Sequence, residues 1–345
     1  MNYKFSVVTE DELSTIKSQL LNFDTDIYHS IEWLLLNKDL QEGEIYCIFL
    51  EDEKNCAFFP LIKRKIKNTS FFDLITPYGY GGVAFKKNTA TDFRENIFEL
   101  LKNCLSSTNC ISVFLRLHPL LNNNIKESEF IFGNGVILAT KLNSSYPDLY
   151  NKYSSGHKYD LKKSKKNENI SVVDDADFIL FDNFIEIYLE TMRYLQAADF
   201  YFFDREYFYR MKGLLADKLK LVVVKFNEQV IGASLFMLDN GIIQYHLSGT
   251  TIDGKKYQPS KLILDYMIDW GVSQGYNFLH LGGGVGGQQD ALYKFKKGFT
   301  ADEYSFYTVR LIINRTVYRQ LCLDLNFTDT EIDNIYNFFP LYRKA

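Results

Sequence analysis

The stretch LHLGGGVGGQQDALYKFKKGF, residues 279–299, joins a glycine-rich turn to a cluster of lysines. Glycines at the end of an apolar run let a backbone approach a ligand closely or open a sheet. Lys294, Lys296 and Lys297 follow on a short helical segment, where only one of them can face the strand end while the others meet water. Lys296 lies between Phe295 and Phe299, so packed aromatics can hold its ammonium beside a ligand channel; a solvated lysine run is the alternative. Gly282, Gly284 and Gly287 also spell G-x-G-x-x-G, the dinucleotide fingerprint. That fingerprint needs a full helix after it and an acidic residue ending the next strand. Here a short helical stretch ends at Gly298, and Asp302 and Glu303 precede the next apolar run, so a nucleotide-cofactor Rossmann site is excluded.

Other residues fit the same kind of site. His118 ends an apolar run after Arg116 and before Pro119, and an imidazole there can accept the proton of an attacking amine near neutral pH; a structural histidine is the alternative. Tyr78 and Tyr80, in PYGYGG, suit either the wall of a substrate cleft or a plain turn. The lysines of HKYDLKKSKK form the densest positive patch, and Lys162, Lys163, Lys165 and Lys166 suit a phosphate chain or a solvated helix face. No histidine spacing fits a metal site, and no G-x-S-x-G or catalytic cysteine context appears.

The elements that must position these residues repeat. In the first half, EIYCIFLEDEKNCAFFPLIKRKI and SFFDLITPYGYGG predict strands, TDFRENIFELLKNCLSS predicts an amphipathic helix with Asp92 and Glu95 spaced as a capping box, and CISVFLRLHP predicts a closing strand. In the second half, KLVVVKFNEQVIGASLFMLDNGIIQYHLSGT predicts three strands with an Asp-Asn-Gly turn. PSKLILDYMIDWGVSQG then predicts a helix capped by Ser260 and stopped at Gly275, and NFLHLGGG a final strand. Two helices precede the second copy. The order strand, strand, strand, helix, strand implies an α+β fold with mostly antiparallel sheets.

The chain has 345 residues, 46% hydrophobic and 16% aromatic, enough for two cores. A net charge of −4 argues against coating nucleic acid, so any polyanion site is local. Five scattered cysteines suit reduced core thiols. Early charges at the N-terminus and the lack of a long apolar run predict a cytoplasmic protein without a signal peptide or membrane span.

Helices first, then a meander, a helix and a splayed strand is the order of a GNAT acyltransferase domain. Two such halves, with the RLHP ending of one and the GGGVGG and LYKFKKGF ending of the other, resemble the Fem family of peptidoglycan-bridge aminoacyltransferases and the wider Fem-like acyltransferases. The resemblance implies two tandem GNAT-like domains, one over 1–145 completed by 305–345 and one over 146–304. It implies transfer of an aminoacyl or acyl group to an amine on a nucleotide- or lipid-linked cell-wall or surface-polysaccharide precursor. The implied donor is aminoacyl-tRNA, with no cofactor; a coenzyme A thioester is the alternative. That alternative suffers because GTTIDGKKYQPSKL lacks the glycine loop with which ordinary GNAT enzymes hold coenzyme A. A non-catalytic precursor-binding protein is a further alternative. Partners on this view include no DNA, and membrane association is at most peripheral.

By the same resemblance Lys296, in the L-x-x-F-K-x-x-F element, is placed at the transfer centre against phosphate or developing charge, with Gly283, Gly284 and Phe295 around it. HSIEWLLLNK resembles the family's entry helix, which makes Lys38 the match to a substrate-phosphate lysine. Arg205 with Tyr207 or Tyr209 matches an arginine and tyrosine of the second half, and Tyr78, Tyr80 and Arg116 join the substrate set. Two departures stand out: His118 occupies a position that is acidic in many members, and no coiled-coil arm is present.

Overall fold

In the computed structural model, residues 3–122, 125, 128–334 and 338–344 are described. The chain divides into two compact units, one formed by residues 1–135 with 305–345 and the other by 136–304.

In the first unit, Lys4–Val8, Cys47–Glu51, Cys56–Phe59 and Ala84–Phe85 make an antiparallel sheet in that order. A second ladder runs from Glu44–Ile45 through Ile62–Lys65, Phe72–Ile75 and Cys110–Arg116 to the C-terminal part of Glu303–Ile312. Its pairs are antiparallel except Phe72–Ile75 with Cys110–Arg116, which run parallel. A parallel pair needs a crossover, and the helix Thr91–Leu105 supplies it, burying Phe93, Ile97, Phe98, Leu101 and Leu105. The expected capping box fails here. The helix starts at Thr91 with Ala90 as its N-cap, so Asp92 falls inside the first turn and makes no cap bond. The Asn55 side-chain oxygen accepts from the Ala90 amide instead, at 2.8 Å.

The second unit repeats this plan. Its sheet runs Ile170–Asp174, Leu219–Phe226, Gln229–Asp239, Ile242–Thr250, Phe278–Gly282 and the C-terminal part of Ile131–Lys141. Again one pair is parallel, Ile242–Thr250 with Phe278–Gly282, and again a helix, Pro259–Ser273, makes the crossover. The Asp-Asn-Gly turn forms as expected, with Asn240 at φ 43° and Gly241 at φ 78°, the left-handed pair a tight hairpin requires. Gly275, at φ 74°, follows the helix end. Ser260 is not the cap: Pro259 opens the helix, and the Ser260 hydroxyl shares a hydrogen bond with Thr250 Oγ1 at 3.1 Å. Both halves are thus α+β, with mostly antiparallel sheets. Among the described residues no helix is long and apolar enough to cross a membrane.

Candidate functional site

In the second unit the strand Phe278–Gly282 ends in a turn that only glycine tolerates at two places. Gly282 is left-handed, at φ 74°. A Cβ on Gly284 would lie 2.0 Å from the Gln288 carbonyl and 2.3 Å from Asp290 Oδ1. Asp290 closes the turn: Oδ2 accepts from the Val285 amide at 3.0 Å, and Oδ1 caps the helix Ala291–Lys297 through the Tyr293 amide at 2.9 Å. These backbone bonds hold the Asp290 carboxyl below its usual range.

Lys296 is the one lysine of its helix that points inward. It is 7% exposed, while Lys294 and Lys297 are exposed. Its Nζ donates to the Gly283 carbonyl at 2.7 Å. A Cβ on Gly282 would come within 3.3 Å of the same ammonium, so the glycine leaves the nitrogen room. Burial, partly offset by the Asp290 charge, pushes Lys296 down to about 8. Lys297 pairs with Glu303 at 2.6 Å. The site therefore offers one desolvated amine beside the glycine backbone, mostly charged at neutral pH and losing its charge as pH rises through about 8.

The lysine helix is seated by its neighbour Ser155–Lys165. His157, nearly buried on that helix, donates from Nε2 to the Phe295 carbonyl at 2.9 Å. Its ring occupies the space a side chain at Gly298 would fill, 2.2 Å from a Cβ there. Phe295 is half-buried against His157 and Phe299. It also lines a groove of about 360 Å³ whose walls include Thr191, Tyr194, Leu195, Thr250 and Lys261.

The basic patch divides. Lys165 pairs with the buried Asp265 at 2.6 Å, whereas Lys162, Lys163 and Lys166 point to solvent. Arg205 lies on the exposed face of the helix Arg205–Leu215, held by Asp182 at 2.6 Å and Glu186 at 3.0 Å. Tyr209 donates to the same Asp182 at 2.8 Å.

The remaining candidates belong to the first unit. Lys38 is tied to Glu10 at 2.6 Å. Tyr78 and Tyr80, half-buried, border the Arg116 guanidinium, and the Tyr80 ring lies 6.3 Å from that of His118. His118 is fully buried with both ring nitrogens engaged. Nδ1 accepts from the Leu120 and Leu121 amides, each at 3.2 Å, so the proton sits on Nε2, which donates to Asp26 Oδ2 at 3.0 Å. Burial would raise the Asp26 carboxyl, but attraction to His118 and the bonds it accepts hold it down to about 2. This imidazole has no lone pair to offer an attacking amine, and it fixes the loop between Asp26 and Leu121 instead.

Sequence reasoning missed Asp26, His29, His157 and Asp290. Only Asp290 carried a signal, an aspartate directly before a helix. Among the described residues no group of three His, Cys, Asp or Glu side chains is placed to hold a metal ion.

Residues 152–297, which include the glycine turn and Lys296, match the family model of the acetyltransferase (GNAT) domain. The whole chain is similar in structure to FemX, with a TM-score of 0.65 and 12% identity over 93% of this chain and 99% of that one. It is also similar to a conserved protein of unknown function from Bacteroides thetaiotaomicron, at TM-score 0.54 and 11% identity over 90% of this chain and 100% of that one. A third similar structure is the C-terminal domain of a protein described as a lysylphosphatidylglycerol synthetase from Agrobacterium fabrum, at TM-score 0.51 and 10% identity over 92% and 96%. No curated protein matches the chain. The fold is that of Fem-like GNAT proteins.

Proposed function

We propose that this chain is a Fem-like aminoacyl or acyl transferase that moves its group from an activated ester to an amine on a nucleotide- or lipid-linked surface precursor. The observation that carries the reading is Lys296: a buried ammonium bonded to the Gly283 carbonyl at the end of a strand, inside the segment that matches a GNAT domain. The acceptor nitrogen forms a bond to the ester carbonyl carbon, the C–O bond breaks, and the amine's proton leaves with the departing hydroxyl. Lys296 supplies a fixed positive charge for the tetrahedral oxyanion or the donor's terminal phosphate, and its burial makes that charge worth more than in water. Asp290, Gly282 and Gly284 shape the turn, and His157 seats the helix. His118 acts here as a positioning residue through Asp26.

The exposed Lys162, Lys163 and Lys166 suit the phosphate chain of an aminoacyl-tRNA. A second reading, a coenzyme A thioester as donor, draws on the GNAT match and on the groove at the start of Pro259–Ser273. Transfer assays decide between them. The protein is incubated with labelled aminoacyl-tRNA or labelled acyl-coenzyme A, together with nucleotide-linked or lipid-linked amino-sugar acceptors. Label moved from the tRNA to an acceptor amine, and lost in Lys296→Met, is the expected result. Transfer from coenzyme A alone would establish the second reading, and no transfer from either donor would overturn both.

A further inference from the structure

Among the buried polar atoms of the first unit without a hydrogen-bond partner, two belong to neighbouring residues. Arg116 and Thr308 face each other across antiparallel strands, so their side chains leave the sheet on the same face. Nη1 of Arg116 and Oγ1 of Thr308 are both shut off from solvent, and neither has a hydrogen-bond partner among the described residues. The guanidinium lies 5.0 Å from the centre of the Phe114 ring. Its charged neighbour is another cation, Arg64, and that side chain is already engaged with Asp73 at 2.7 Å. Burial, with a smaller push from Arg64, lowers Arg116 to about 10 despite the nearby Tyr78 and Tyr80. A buried charge without a counter-ion is costly.

The surrounding backbone is fixed. The Arg116 amide donates to Thr76 Oγ1 at 3.2 Å, and the Gly82 amide donates to the Arg116 carbonyl at 2.7 Å. A Cβ on Gly82 would strike Asn122 Oδ1 at 2.3 Å, so the PYGYGG loop is pressed close over the strand end. Tyr78 and Tyr80, both half-buried, border the same guanidinium.

We propose that Arg116 and Thr308 form a binding subsite for an oxyanion, a phosphate or carboxylate group, beneath Tyr78 and Tyr80. A guanidinium fork with an adjacent hydroxyl matches the oxygens of such a group. If the transferase reading holds, this subsite grips an anionic group of the acceptor; its existence does not depend on that reading.

The test is thermal unfolding of the full chain with inorganic phosphate, pyrophosphate or acetate, against chloride at equal ionic strength. Phosphate or pyrophosphate raising the Tm in a saturable way, with acetate silent, identifies a phosphate ligand; the reverse identifies a carboxylate. Arg116→Met is expected to abolish the response and to leave the anion-free Tm unchanged or higher, because it removes an uncompensated charge. Thr308→Val, nearly isosteric, is expected to weaken the response several-fold with folding intact. No saturable shift in the unmodified protein overturns the proposal. So does a response that survives in Thr308→Val and Arg116→Met alike, or an Arg116→Met variant several degrees less stable without anion. Since these readouts need no turnover, a failure here leaves the Lys296 transfer assay standing, and the converse also holds.

Discussion

The two units end their crossover strands in opposite ways. In both, a strand ahead of the helix pairs parallel with the strand after it, and a cation with a buried nitrogen lies at or beyond that strand's end: Arg116 is its last residue in the first unit, and Lys296 sits on the following helix in the second. In the second unit the loop is mostly glycine, and the cation, Lys296, reaches a backbone carbonyl at 2.7 Å. In the first unit the strand end is locked by side chains: Asn122 accepts from the His118 amide at 2.9 Å, and His118 bonds Asp26. There Arg116 keeps an unsatisfied nitrogen. The same framework thus presents a titratable amine on one side and a permanent charge on the other. A lysine near 8 can respond to pH in the working range, whereas a guanidinium stays charged.

The comparison breaks most decisively at Lys296. Lys296→Met is expected to lower kcat by about a hundredfold or more, the scale of losing one oxyanion-stabilising group, with little loss of Tm. Lys294→Ala and Lys297→Ala should do much less, since both lie at the surface, and equal effects in steady-state assays would reduce the site to a diffuse basic patch. With a folded-state pKa of about 8, activity that needs the ammonium should fall as pH rises through that value. Stability should move the other way. The unfolded chain keeps this proton up to the ordinary lysine range, so the penalty for burying the charge is lifted between about 8 and 10.5.

The next effect belongs to the locked end. Burial holds His29 down to about 4, against attraction from Asp26, while its ordinary value is 6.5. The unfolded state therefore binds a proton across that window and the folded state does not. Stability should fall by about 2–3 kcal/mol as pH drops from 6.5 to 4. Urea unfolding of the unmodified protein and of His29→Gln over that range checks it; an equal slope in both would assign the loss elsewhere.

Asp290→Ala should be milder, costing about 1 kcal/mol as a lost helix cap and loosening the turn that holds Gly283 toward Lys296. Kinetics should show a larger change in kcat than in Tm. The smallest effect is expected from Lys162→Gln, Lys163→Gln and Lys166→Gln combined. A few-fold weaker donor affinity and a flatter dependence on salt, read by titration at several ionic strengths, would mark them as phosphate contacts.

Much of the framework was legible. The Asp-Asn-Gly hairpin, the stop at Gly275 and the two crossover helices follow from local turn chemistry and periodicity, which act within a few residues. Both failed caps, at Asp92 and Ser260, arose because the true helix starts were set by contacts from elsewhere, Asn55 in one case and a proline entry after Gln258 in the other. Lys296 could be singled out because a short helix between Phe295 and Phe299 turns only one of its lysines inward. The role of His118 could not be read, because Asp26, which accepts from its Nε2, is 92 positions away in the chain, although the Leu120 and Leu121 amides that bond Nδ1 are local. Nor could Arg205 or Lys38, whose carboxylate partners lie 23 and 28 residues away.

The sequence alone determined the order of the elements, the glycine turn, and which lysine beside it faces inward, since each depends on backbone preference and side-chain spacing over one or two turns of chain. Tertiary structure decided which charges stay unpaired. Arg116 and Thr308 are far apart along the chain, and whether a carboxylate meets that guanidinium depends on strand register and on which neighbour Asp73 has already taken. Ionic pairing is a competition settled in space, and a linear string of residues records the competitors without the distances between them.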